Sequence, residues 1–213
     1  MGAQAVSQGT TVQPMFHPES RQPFGLPLGS VRGLMSVVIC AFFWLLLLLP
    51  NESPAKSVLA HFFLLGLVLM AFASSPRIAE RDVSPFLPWL LRMVFVGGSV
   101  AVIALVLVTR DMNVVQARLT PDPDEVKAWW VPFLSTLSGG FAFGLFLRFI
   151  LGRENHIFLA LRAWFSVVGI IMLVLELGLF FAMSSGAGRM DEFLHYWQAV
   201  ELVVVSSYFG TRA

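Results

Sequence analysis

Apolar residues in this chain come in long blocks rather than in alternation, and the charged residues collect in the gaps between them. A helix rising 1.5 Å per residue needs about 20 such residues to cross a hydrocarbon core roughly 30 Å thick. Five blocks meet that length, over residues 30–50, 57–75, 88–109, 128–151 and 163–183. A sixth, 193–210, holds the apolar run Leu202-Val203-Val204-Val205 but also His195, Gln198 and Glu201. It reads either as a further span or as an amphipathic helix lying at the interface, with spanning favoured. The predicted fold class is an all-α integral membrane protein, a polytopic bundle of five to six transmembrane helices.

Two regions lie outside this pattern. Residues 1–29, rich in Gly, Gln, Ser, Thr and Pro, bury too little apolar surface to offset the entropy of ordering and read as a flexible or surface-draped arm ahead of the transmembrane domain, 30–213. Residues 110–127 form the largest polar loop. Within it, Thr120-Pro121-Asp122-Pro123-Asp124-Glu125 carries the caps and first-turn acids of a helix leading into Trp129-Trp130. That pair, with Trp44, Trp89, Trp164 and Trp197 near other span ends, matches the aromatic belts of membrane interfaces.

Composition agrees: 57% of residues are hydrophobic and only 13% charged, against about 25% charged in an average soluble domain. A soluble enzyme is excluded. The formal net charge of +1 provides no basic field for nucleic acid, and the lone Cys40 allows no intrachain disulfide. Sidedness follows from the basic loops, which stay cytoplasmic. With the N-terminus inside, that side collects Arg21, Arg32, Arg77, Arg81, Arg92, Arg148, Arg153, Arg162 and Arg212. The other side holds Lys56, Arg110, Arg118, Lys127 and Arg189, with most of the acids. A cytoplasmic N-terminus in a bacterial inner membrane is therefore expected. Arg92 and Arg148, about a turn inside their spans, are placed to snorkel to anionic lipid headgroups.

Glu176 carries the chemistry that matters most, because Val174-Leu175-Glu176-Leu177 sets a carboxylate inside the fifth apolar block. An intramembrane carboxylate must be protonated, paired or turned to a water-filled cavity. Eight residues from the outer end of its span, it lies roughly 12 Å deep, and Glu201, seven residues into the sixth block, lies about 10 Å deep. Adjacent antiparallel spans would let the two meet. Gln198 and His195 share a helix face with Glu201, and His61 belongs to the same outer half. This polar cluster, Glu176, Glu201, Gln198, His195 and His61, reads either as hydrogen-bonding glue between helices or as a proton or cation relay, with glue favoured.

No cofactor is called for by these residues. A bound lipid or pigment is compatible with the apolar spans, while haem is disfavoured, since His61 and His195 match in depth but neither sits in a ligand motif. Phosphate loops, nucleophile–base sets and His-rich metal motifs are not found, so catalysis is not expected. Gly140 and Gly144, with Ser138 just before them, form a small-residue face that lets another helix approach closely.

The basic-inside spans and polar outer loop of residues 30–151 resemble, in topology, the small membrane subunits of tripartite periplasmic transporters. The residues favour a non-catalytic accessory or scaffold subunit of a larger membrane complex, packed against other integral membrane subunits, lipids or pigments. The alternative is a transporter subunit that uses the carboxylate pair as a proton or cation site.

Overall fold

The computed structural model describes residues 30–48, 58–73, 86–152, 155–183 and 191–213. The arm 1–29 and the turn expected around 184–188 lie outside them. The described residues form seven helices: α1 Ser30–Leu48, α2 Leu59–Ala73, α3 Phe86–Thr109, α4 Met112–Leu119, α5 Pro123–Leu151, α6 His156–Met183 and α7 Asp191–Arg212.

Four of them are long and apolar enough to cross a membrane: α1, α3 from Pro88, α5, and α6 as far as Phe180. The two segments that differ from the expected spans do so for different reasons. The described part of α2 has 15 residues, about 22 Å of helix, which is short of the hydrocarbon thickness. In contrast α7, with 22 residues, is long enough, but its polar positions set it apart from the four apolar helices. What makes α7 tenable is enclosure, since Gln198, Glu201, Ser206, Ser207 and Thr211 are all buried against other helices.

Side-chain pairings give the helix directions. Arg32 meets Ala71 while Phe43 meets Phe62, so α1 and α2 are antiparallel. Phe42 meets Phe180 and Met35 approaches Gly169, so α6 runs parallel to α1. The α5–α7 pair is parallel, with Trp129 against His195 near one end and Gly144 against Ser207 and Gly210 near the other. The longer helices therefore alternate in direction along the chain, with the short α4 between α3 and α5.

The core gathers α1, α2, α5, α6 and α7 around Met35, Ile39, Leu64, Phe133, Leu173, Leu202 and Val205. The closest packing is between α5 and α7. A Cβ added at Gly140 would sit 2.6 Å from the Val203 carbonyl oxygen, and one at Gly144 would sit 2.9 Å from the Thr211 nitrogen. Gly140 and Gly144 on one helix, and Ser206 and Gly210 on the other, keep the same four-residue spacing, which brings two backbones together. Ser138 is exposed, because two helical steps turn it about 200° from Gly140. In the same way Gly98 of α3 seats the Trp44 indole of α1. Most of α3 beyond that face is exposed apolar surface, including Val96, Val100, Ile103 and Leu107.

The polar segment 110–127 is more ordered than a loop. Asp111 caps α4 by accepting from the Asn113 amide at 2.8 Å, and Asp122 caps α5 by accepting from the Asp124 amide at 2.9 Å. Both aspartates satisfy amides that a helix start leaves without intrahelical partners.

Candidate functional site

Three helices set four polar side chains at one point. Glu176 lies on α6, seven residues before its end, Gln198 and Glu201 lie on α7, and His61 is the third residue of α2. Each is at most 3% exposed. Gln198 Nε2 donates to Glu176 Oε1 at 2.8 Å, and His61 Nε2 stands 3.3 Å from Glu176 Oε2. The Glu201 carboxyl faces that of Glu176 closely enough for the two to interact directly.

Helix geometry explains the convergence. Gln198, Glu201, Leu202 and Val205 follow the three- and four-residue steps of one α7 face, and antiparallel α6 delivers Glu176 to the same level. An apolar plug of Phe42, Phe180 and Leu194 closes the cluster toward the end where α1 and α6 finish and α7 begins. The Phe42 ring meets His61 edge-on, with centroids 4.5 Å apart. Toward the other end Leu64, Leu173 and Leu202 are fully buried.

Acceptors outnumber donors in this enclosure. Both oxygens of Glu201 and Oε1 of Gln198 are buried without a hydrogen-bond donor. Two adjacent carboxylates do not both stay ionised away from water, where hydration does not offset their repulsion and His61 stands against Glu176. One proton on the pair removes a charge and turns an acceptor into a donor, which answers both deficits together. Among the described residues no group of three or more His, Cys, Asp or Glu is arranged to hold a metal ion.

The fifth residue of the expected cluster goes elsewhere. His195 Nε2 lies 3.4 Å from Glu125 Oε1 of α5, and its ring stacks on Trp129 with centroids 4.9 Å apart and planes 13° from parallel. Phe133 continues the stack at 6.3 Å, and Tyr196 meets Trp129 edge-on at 5.2 Å. The physical reason is azimuth, for His195 and Gln198 differ by about 60° around α7, enough to turn one to α5 and the other to α6. His61 and His195 thus engage different carboxylates. Glu125 escapes a reading that treats it only as a first-turn acid, but the signal is present, since Glu125, Trp129 and Phe133 recur every four residues on one face of α5.

Arg92 is exposed on α3 and Arg148 is half-buried near the end of α5, at the end of the bundle opposite the carboxyl pair. Near them, Arg32 of α1 donates to the Ala71 carbonyl and lies 5.9 Å from the centroid of Phe209. No family model, curated protein or solved structure matches this chain.

Proposed function

We propose that this chain is a non-enzymatic subunit of a bacterial inner-membrane transport complex, and that its Glu176–Glu201 pair binds and releases a proton. One observation carries the reading: two fully buried carboxyls face each other with Gln198 and His61 as partners, in an otherwise apolar interior. Helix glue alone needs one donor and one acceptor. Two carboxyls in contact make a poor fastener and a good proton site, because one shared proton removes a charge and supplies the donor that the pair lacks. Alternating helix directions support six crossings, α1, α2, α3, α5, α6 and α7. Arg32, Arg92, Arg148, Arg162 and Arg212 at one end support a cytoplasmic N-terminus.

The test is proton uptake into proteoliposomes or native vesicles, paired with infrared difference spectra of the carboxyl stretch. Glu176→Gln and Glu201→Gln should each abolish flux and the protonated-carboxyl band while the helical content stays intact. Unchanged flux and an unchanged band in both variants would refute the proposal.

A second reading, a scaffold for partner subunits, is favoured by the exposed faces of α3 and of the second half of α5, where Phe146, Phe149 and Ile150 point outward. Its test is affinity purification from native membranes in mild detergent. Stoichiometric partners that co-purify, together with unchanged flux in Glu176→Gln, would favour a scaffold over a proton site.

A further inference from the structure

At the end of the bundle away from the carboxyl pair, three helices converge on Tyr208. This residue of α7 is 1% exposed, yet its hydroxyl is buried without a hydrogen-bond partner. Nε of Arg212, one turn further along α7, is likewise buried without one. The Arg212 guanidinium lies 6.0 Å from the centroid of the Tyr208 ring. Among the described residues, the charged groups acting on the Tyr208 hydroxyl are Arg212 of α7, Arg162 of α6 and Arg32 of α1. The phenol oxygen can accept one N–H of Arg212, but the phenol proton and the remaining guanidinium N–H groups are all donors, so the pair as a whole still calls for an acceptor from outside it.

We infer that Tyr208 and Arg212 form an oxyanion site for a phosphate group, with Arg32 and Arg162 supplying surrounding positive charge. Phosphate fits the donor set: a guanidinium binds two of its oxygens in a planar fork, and a phenol hydroxyl donates to a third. Arg32, Arg162 and Arg212 are only half-buried, while Tyr208 beside them is fully buried. The site lies where α1 and α6 begin and α7 ends, at the level of Arg92 and Arg148, which suits the headgroup of an anionic lipid. A free phosphate offers the same oxygens.

The experiment uses the full chain in neutral detergent, titrated with phosphatidylglycerol, phosphatidylcholine or inorganic phosphate. Retained adducts are read by native mass spectrometry and thermal stability. Wild type should retain one phosphatidylglycerol in preference to phosphatidylcholine, and Tyr208→Phe and Arg212→Gln should each weaken that binding by about tenfold, the scale of a lost charge-assisted hydrogen bond. Lys127→Gln, at an exposed lysine of the opposite end of the bundle, should leave it unchanged. Displacement of the lipid by millimolar inorganic phosphate would identify a free oxyanion as the occupant, and resistance to displacement would identify the lipid. Equal retention of both lipids without phosphate binding, wild-type affinity in both Tyr208→Phe and Arg212→Gln, or an equal loss in Lys127→Gln would overturn the site. Should Arg212→Gln fail to fold, Tyr208→Phe decides alone, since it removes one oxygen and keeps the ring.

Discussion

Gly144→Ala tests the contact on which the α5–α7 pair depends. The added Cβ would fall inside contact distance of the Ser207 carbonyl oxygen, 2.9 Å from the Thr211 nitrogen and 3.0 Å from Gly210 Cα. All three are backbone atoms, so no side-chain rotation relieves the overlap. Ordinary contact begins near 3.4 Å, and the helices must therefore separate by at least about 0.5 Å. Overpacking of this kind costs about 1–3 kcal/mol, and the upper end applies where only backbone can yield. Against it stands a gain of about 1 kcal/mol from alanine's higher helix propensity. The expected net loss is about 2 kcal/mol. Gly139→Ala is the internal control, because nothing lies within 4 Å of its added Cβ and only the gain of about 1 kcal/mol remains. Neighbouring substitutions of identical chemistry should thus differ by roughly 3 kcal/mol. Reversible unfolding in mixed micelles with increasing denaturing detergent, followed by circular dichroism, measures the difference. Equal stability of the two variants would refute the argument that backbone approach sets the α5–α7 geometry.

Other outcomes follow from the same reasoning. Glu176→Leu should destabilise the protein by about 2–4 kcal/mol more than Glu176→Gln, because it leaves His61 and Gln198 buried without their shared acceptor; equal unfolding midpoints would contradict this. Phe133→Ala removes a fully buried ring between Trp129 and Phe63 and should cost about 3–5 kcal/mol in the same unfolding assay. Asp122→Ala removes the cap of α5 and should cost about 1 kcal/mol, with the loss reversed in Asp122→Asn. Phe180→Ala opens the plug beside His61 and Glu176, so carboxyl proton exchange, measured by infrared spectroscopy in heavy water, should quicken without loss of helix content.

The meeting of Glu176 and Glu201 is readable from sequence because helical rise is constant: residues counted from a span end give depth, and antiparallel neighbours share it. Azimuth is harder. His195 and Gln198 sit on nearby faces by simple periodicity, but which groove each enters depends on how α5 and α6 flank α7, a property of the assembled bundle. Small residues help here, since Gly140 and Gly144 announce a close partner, although nothing local to them names α7. The burial of α7 is hard to read from sequence for a related reason. Its polar residues are tolerated because other helices cover them, and sequence hydropathy registers the residues without the cover. Residues 110–127 read as a loop by polarity, while Asp111 and Asp122 cap two helix starts there.

The enclosure of α7 also bears on how the protein is made. A segment with Glu201 at its midpoint partitions poorly into lipid alone, where a central acidic residue costs about 2.5–3.5 kcal/mol. Its partners α5 and α6 precede it in the chain, so the groove that accepts Gln198, Glu201 and the serine face is synthesised before α7 emerges. On the six-span reading, insertion of α7 is an act of assembly rather than of partitioning, and its completion reports that α1, α5 and α6 have already found one another.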